Sequence, residues 1–282
     1  MEERQPTRPD QRCCVSRIIT IDDPADPRIE DYRNIRDRDM ARSGQTFIAE
    51  GKVVLSVLFG AKRFPVRSAL ILANRLEGLR DVLAKAPPDM PVYVAPQAVI
   101  DAVAGFHLHR GVLALAERVP LPSPTELLAR LPEQALVVVL VGIANHDNVG
   151  AIFRNAAAFE ADAVLLDETC CDPLYRKAIR VSVGAALQIP FTRGANAATL
   201  ADELMTAGFE PIALSPAGNE NLSKLTPPPR CAILLGTEGE GLPPALLARL
   251  RTARIAMSPS FDSLNVAAAS AIALHRLGRF AW

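Results

Sequence analysis

Aromatic side chains are scarce in this chain, at 5% of its 282 residues. Ala, Leu and Val dominate instead, which argues against an all-β fold and for helices alternating with parallel strands. There is no excess charge of either sign: 31 Lys and Arg face 31 Asp and Glu. A nucleic-acid-binding domain ordinarily carries a basic surplus, so any basic surface here has to be local. The division is even along the chain, with 18 basic against 16 acidic residues up to Arg118 and 13 against 15 after it. No apolar run approaches the ~20 residues that cross a bilayer, and the start, Met-Glu-Glu-Arg-Gln, lacks the apolar stretch of a signal peptide. A cytoplasmic protein without a membrane segment is expected. The five cysteines, Cys13, Cys14, Cys170, Cys171 and Cys231, make two adjacent pairs and a single residue. That pattern is neither a disulfide framework nor a zinc spacing, adjacent cysteines rarely bridge, and reduced cytosolic thiols are expected. His107, His109, His146 and His275 have no metal-ligand spacing, so no metal is expected. The chain also lacks G-x-x-x-x-G-K-[ST], which excludes a mononucleotide P-loop, and lacks the dinucleotide fingerprint, which disfavours a nicotinamide oxidoreductase.

What is present is a well-cored composition, 49% apolar and 22% charged, at a length suggesting two domains. Residues 1–17, polar and Pro-bearing, read as a flexible arm. Residues 18–118 read as a small α/β domain. Its elements are a helix from Pro27 to Met40, a strand Thr46–Glu50, a helix Lys52–Ala61, a strand Ala69–Leu72, a helix Leu76–Ala84, a strand Pro91–Val94, a helix Pro96–Val103 and a strand Gly111–Leu115. Residues 119–134, with four prolines, read as a linker. Residues 135–282 form the second domain, opened by the apolar run Ala135–Val141 expected of a central parallel strand. Strands at Ala163–Leu166, Gln188–Thr192, Glu210–Leu214, Cys231–Leu235 and Arg254–Met257 alternate with helices at Asn148–Phe159, Pro173–Gly184, Leu200–Ala207 and Ser263 to Leu277, giving a parallel sheet covered on both faces.

Three stretches in the second domain carry chemistry-bearing residues at strand ends, where open α/β sheets bind ligands. The first, Asn148-Val-Gly-Ala-Ile-Phe-Arg154, follows the opening strand. Asn148 is a candidate cap of the helix and Gly150 allows close approach. The second, Gly236-Thr-Glu-Gly-Glu-Gly241, ends a buried strand in glycines that free the backbone for a sharp turn, with Glu238 inside it. In the third, Ser263 is the expected N-cap of the closing helix and Asn265 lies in its first turn. Each also has a plain reading, as a capped helix with an exposed Arg, a tight turn, and a helix start. Clusters Arg33, Arg36, Arg38, Arg42 and Arg176, Lys177, Arg180 read either as local basic surface for a polyanion or as solvated helix faces.

Taken together and in this order, the three stretches closely resemble the signature motifs of the SpoU/TrmH family of RNA ribose 2′-O-methyltransferases, within the SPOUT superfamily. Ile255, Met257 and Ser263-Leu-Asn-Val266 match the third motif, and Arg176 to Pro190 is also similar to the family. Ala256 stands where the family usually has proline, and Pro259 lies in a loop that often contains glycine. The resemblance covers 135–282. In the first domain it is carried by Phe47-Ile-Ala-Glu-Gly51 and His109-Arg-Gly-Val-Leu-Ala114, similar to a substrate-binding domain related to certain ribosomal proteins. What the resemblance implies is a C-terminal SPOUT methyltransferase domain with a deep trefoil knot, working as a homodimer through the closing helix. S-adenosylmethionine would be held by Gly236, Ile255 and Leu264. Arg154, Asn148, Glu238, Ser263 and Asn265 would carry methyl transfer to a 2′-hydroxyl of tRNA or rRNA. The alternative is a non-catalytic RNA- or ribosome-binding protein that keeps the fold.

Overall fold

The computed structural model describes residues 17–33 and 45–278. Arg36, Arg38 and Arg42, the arm up to residue 16, and Cys13 and Cys14 lie outside the described residues. The chain divides into two compact units, up to Glu117 and from Arg118 onward.

In the first unit five strands, β1 (Arg17–Thr20), β2 (Thr46–Glu50), β3 (Val66–Leu72), β4 (Pro91–Ala95) and β5 (Val112–Glu117), form one mixed sheet in the order β1-β4-β3-β5-β2. β2 and β3 run antiparallel to β5, and β1 and β3 parallel to β4. Helices α1 (Lys52–Ala61), α2 (Arg80–Leu83) and α3 (Gln97–Ala104) lie in this unit. One core cluster gathers Ile29, Tyr32, Ile48, Leu70, Tyr93 and Leu113 with the apolar side of α3. Two expectations are corrected here. Within the described residues the segment from Pro27 is a 3-10 helix to Tyr32, ended by extended backbone at Arg33, and the rest of the expected helix, to Met40, lies outside them. The Leu76–Ala84 stretch is split between 3-10 turns and the single turn of α2.

The second unit opens with α4 (Pro124–Ala129), whose Ser123–Glu126 capping box starts it after a proline-rich approach. Leu127 and Leu128 are buried in this unit's core, so residues 119–134 do not form a free linker. The sheet comprises β6 (Ala135–Leu140), β7 (Ala163–Asp167), β8 (Phe191–Ala195), β9 (Glu210–Leu214), β10 (Glu220–Asn221), β11 (Arg230–Leu235) and β12 (Arg251–Arg254), in the order β10-β12-β9-β11-β6-β7-β8. Every pairing is parallel. The central strands β6, β7 and β11 are apolar over most of their length because both faces are covered. Val137, Val139, Ala232 and Leu234 face a core shared with Leu127, Leu200, Leu204 and Leu246, from α4, α8 (Ala197–Thr206) and α9 (Pro244–Leu247). Across the sheet lie α5 (His146–Ala158), α6 (Arg176–Val181), α7 (Ala185–Gln188) and the closing α10 (Val266–Leu277).

Several boundaries differ from the sequence reading. The strand expected at Arg254–Met257 runs from Arg251 to Arg254, held at its start by Arg251 donating to Glu210 and Glu220 at 2.6 Å. Ile255 and Met257 are therefore loop residues. The strand expected from Gln188 begins at Phe191, after the turn of α7. Gly150 serves helix packing: a Cβ there would stand 2.7 Å from the Ala178 carbonyl oxygen and 2.8 Å from Val181 Cβ, so its close approach joins α5 to α6.

Candidate active site

Three segments distant in sequence meet at the carboxyl ends of β6, β11 and β12. Asn145, not Asn148, caps α5, its side chain accepting from the Asp147 N–H at 2.8 Å. This leaves the Asn148 side chain free to point elsewhere. Asn148 is 6% exposed, and its Nδ2 donates to Glu238 Oε1 at 2.7 Å. Nor does Ser263 cap the closing helix. Asn265 does, its Oδ1 accepting from the Ala267 and Ala268 N–H groups at 3.0 and 3.3 Å. That bond fixes the amide's orientation. Its Nδ2 is thereby aimed at Glu238 Oε1, 2.9 Å away, and at Asn148 Oδ1, 3.1 Å away. One carboxylate oxygen thus accepts from two amides. Hydrogen bonds to a charged group are worth ~1.5–3 kcal/mol each when buried, and less here because Glu238 is exposed.

The loop carrying Glu238 is closed on itself. Thr237 and Gly241 exchange two backbone hydrogen bonds of 3.2 Å, and the Thr237 hydroxyl donates to the same Gly241 carbonyl. Gly236 is required for this closure: a Cβ on it would fall 2.3 to 2.6 Å from backbone atoms of Gly241 and Leu242. Beside the loop lies a cavity of about 310 Å³, within the range of small-molecule sites, lined by Leu235, Gly236, Ile255, Met257, Leu264 and Asn265 among others. Its walls combine apolar side chains and glycine backbone with Ser215 and Thr237, and the Asn265–Glu238 pair stands at one side. Ser263 also lines it, but its hydroxyl donates to Asp262 at 3.1 Å and takes no part in the amide–carboxylate cluster.

Arg154 does not join this cluster. It is exposed and makes no hydrogen bond or ion pair among the described residues. Six residues beyond Asn148 on a helix, it stands ~9 Å further along the axis and ~120° away around it. The next residue, Asn155, binds α10, donating to the Ala267 carbonyl and the Ser270 hydroxyl at 2.8 Å each. Arg176, Lys177 and Arg180 are half-buried on α6. Lys177 pairs with Asp147 at 2.7 Å, and next to it His146 stacks on Tyr175 with 3.8 Å between ring centroids. Arg33 is exposed and donates to the Pro24 carbonyl at 3.2 Å.

The sequence reading missed the support beneath these residues. β7 ends in Asp167, 5% exposed, which accepts from backbone N–H groups of its own turn and of the loop leaving β6. The signal was an Asp followed two residues later by Thr at a strand end, an Asx-turn pattern. Burial, and then the Asp167 charge, push the Cys170 thiol up to about 12, so it is a structural group in this turn. Among the described residues no group of three or more His, Cys, Asp or Glu is placed to hold a metal, and no helix is long and apolar enough to cross a membrane.

Comparison with known proteins agrees with this geometry. The model of the SpoU rRNA Methylase family matches residues 135–275. The chain is 41% identical over 273 residues to proteins of Mycobacterium bovis and Mycobacterium tuberculosis named as uncharacterized tRNA/rRNA methyltransferases, covering 93% of this chain and 92% of theirs. Among solved structures, an RNA 2′-O ribose methyltransferase is similar at 26% identity and a TM-score of 0.75, covering 92% of this chain and 98% of that one. An AdoMet-bound rRNA methyltransferase from Sinorhizobium meliloti shares the fold at 24% identity and a TM-score of 0.78, covering 94% and 99%. With its three motif segments joined by hydrogen bonds among Asn148, Glu238 and Asn265, the chain belongs to the SpoU family of RNA methyltransferases.

Proposed function

We propose that this protein transfers a methyl group from S-adenosylmethionine to a ribose 2′-hydroxyl of tRNA or rRNA. The observation that carries the reading is the Asn148–Glu238–Asn265 cluster at the rim of the cavity lined by Gly236, Ile255 and Leu264. The similarity to a solved RNA 2′-O ribose methyltransferase supports it. The cavity suits the cofactor. Ile255, Met257 and Leu264 offer apolar surface to a base, while Gly236 leaves backbone groups open to it. When bound, S-adenosylmethionine supplies an electrophilic methyl on a sulfonium.

The chain's own part is to bind, orient and stabilise. Asn148 and Asn265 hold Glu238, and the three together shape the mouth through which a ribose reaches the cavity. Ser263 supplies a hydroxyl at the same rim. A guanidinium offers no acceptor atom, so this reading gives Arg154 no role as a base. Its role in this reading is to hold a backbone phosphate and stabilise the oxyanion that develops as the hydroxyl attacks. Arg33, Arg176, Lys177 and Arg180 are the further phosphate contacts of the reading, from the two units.

Three structural points belong to the same proposal. The trefoil knot rests on the membership of the SpoU family, and residues 215–219 pack tightly beside β12: a Cβ on Gly218 would lie 2.3 Å from the Ala253 carbonyl carbon, and Arg254 donates to the Gly218 and Asn219 carbonyls at 2.7 and 2.8 Å. A homodimer through α10 is supported by its exposed Ile272 beside a largely apolar hollow with Phe159, Leu222 and Ile255. A cytoplasmic location follows from an RNA substrate of this kind.

The test is transfer of labelled methyl from S-adenosylmethionine to unmodified total RNA, fractionated into ribosomal and transfer RNA. Label is expected as 2′-O-methylated nucleotide in one fraction. Arg154→Ala is expected to lose at least ~10²-fold in turnover while binding the cofactor like the parent. Full turnover in that variant would refute the role of Arg154. No label and no cofactor binding in the parent would favour the non-catalytic RNA-binding alternative.

A further inference from the structure

We infer that Asp167 is a positioning residue for this site, setting the height of the loop that carries Glu238 through a Gly142–Thr237 contact. The inference rests on the methyl-transfer reading above. It starts from a buried carboxylate that pairs with no cation among the described residues. Its partners are all uncharged donors. Asp167 Oδ1 accepts from the N–H groups of Gly142 and Thr169 at 3.1 Å and of Cys170 at 2.9 Å, and the Thr169 hydroxyl donates to Oδ1 and Oδ2 at 2.9 and 3.0 Å. Burying a charge without a counter-ion is costly. The return is a set of charge-assisted hydrogen bonds, roughly twice as strong as neutral ones, converging on one turn.

That turn is stitched to the segment leaving β6 at further points. The Ile143 N–H donates to Cys170 Sγ at 3.2 Å, the Cys170 thiol donates to the Leu140 carbonyl at 3.3 Å, and the Cys171 N–H donates to the Ile143 carbonyl at 3.0 Å. Residues 140–143 are thus clamped onto 167–171, and Gly142 is the link that Asp167 grips directly.

Gly142 is also where the clamp meets the site. Its φ is +70°, and a Cβ on it would stand 2.5 Å from Thr237 Cγ2. The Thr237 methyl therefore rests against the bare Gly142 backbone. Thr237 is the residue before Glu238 and one end of the bridge that closes its loop. In the other direction, the segment from Gly142 runs to the Asn145 cap and to Asn148. Asp167 thus touches neither cofactor nor substrate, yet underlies both Asn148 and Glu238.

The test is a double-variant cycle of Asp167→Asn and Thr237→Ser. Serine keeps the hydroxyl that binds Gly241 and removes only the methyl that contacts Gly142. Three quantities are measured: turnover, cofactor dissociation constant by calorimetry, and amide hydrogen exchange of residues 236–242. Each single variant is expected to lower kcat about 10-fold, with Asp167→Ala nearer 10²-fold, the cost of a displacement of about 1 Å. KM for RNA and cofactor affinity should stay within ~3-fold. The double variant should be no slower than the slower single one, because both changes cut one connection. Exchange of 236–242 should rise about 10-fold in both. A purely structural Asp167 would give a lower melting temperature with unchanged kcat and unchanged exchange in 236–242. That result, or multiplicative losses in the double variant, would overturn the inference. Should Asp167→Ala not fold, the Asn and Ser variants decide. If the parent transfers no methyl, the functional reading fails, and the exchange comparison still decides on the Asp167 connection.

Discussion

Replacing Gly236 by alanine tests the cavity at its tightest point. The added Cβ would stand 2.3 Å from the Gly241 carbonyl carbon, 2.4 Å from the Leu242 nitrogen and 2.6 Å from the Gly241 oxygen. These are backbone atoms of a closed bridge, so no side-chain rotation relieves the overlap. Reaching ordinary contact requires a shift of about 1 Å, and overpacking of this kind costs ~1–3 kcal/mol. At ~2–4 °C per kcal/mol for a unit of this size, the melting temperature should fall by roughly 2–12 °C. The functional loss should be larger than that. Glu238 lies between the bridged residues, and a 1 Å displacement stretches its bonds to Asn148 and Asn265, now 2.7 and 2.9 Å, beyond hydrogen-bonding range. Turnover is expected to drop ~10²-fold, with S-adenosylmethionine affinity down at least ~10-fold, read by calorimetry and labelled-methyl transfer. Gly239→Ala is the internal control, because a Cβ there meets nothing within 4 Å and only its φ of +99° is strained. It should cost ~1–2 kcal/mol of stability and little cofactor affinity. Gly236→Ala with parental melting temperature and parental cofactor affinity would refute the close-approach argument.

Gly150→Ala pushes a methyl into the Ala178 carbonyl and Val181 and is expected to destabilise the second unit by ~1–3 kcal/mol in urea titration, with the first unit unaffected. Asp101→Asn probes acid stability: the His107 hydrogen bond, and then the Leu108 N–H, hold the Asp101 carboxyl down at about 2. A lowered carboxyl stabilises the fold above its unfolded value near 4 and loses that stabilisation as pH falls through about 2, so parent and variant should differ in urea midpoint at pH 6 and converge by pH 2. Asn265→Asp keeps the acceptor that caps α10 but sets a second carboxylate against Glu238. Like charges raise a carboxyl's pKa, so the penalty should be absent below the usual carboxylate range and grow as pH rises through the raised value, seen as a melting temperature that falls from pH 4 to pH 8 relative to the parent.

The architecture of the second unit was legible because apolar runs such as Ala135–Val141 have no polar alternation and are too short for buried helices, which leaves doubly covered strands. The exact matches at Thr46–Glu50, Lys52–Ala61 and Glu210–Leu214 share a reason: a glycine or a sharp change of polarity marks their ends. The misses share one too. Asn145 precedes Asn148 and Ser263 precedes Asn265, and in each pair both residues are good caps. Local preference cannot choose between them, because the choice is made by Glu238, 90 residues from Asn148 and 27 from Asn265. The linker was misread for the opposite reason. Its prolines are a local loop signal, overridden by the burial of Leu127 and Leu128, which no local signal announces.

That same long-range dependence bears on how the site is made. Asn148, Glu238 and Asn265 come from helices and a loop that follow three separate strands, and none of their mutual bonds can form until all three strands are paired. β11 lies between β6 and β9, and β12 joins on the far side of β9, so Asn265 meets its partners only where β6, β9, β11 and β12 are all in register. Asn265 then serves two structures at once: its oxygen starts α10 and its nitrogen meets Glu238. Starting the closing helix and closing the site are therefore one event. A cofactor held beside Asn265 would bind only the chain whose α10 is in place, and by mass action would stabilise that helix together with the site. The Asn148 and Glu238 ends of the cluster rest on a different support, the Asp167 turn, whose bonds are complete without α10. The site thus has a half set by the sheet and a half set by the last helix, and Glu238 Oε1 is the atom on which they meet.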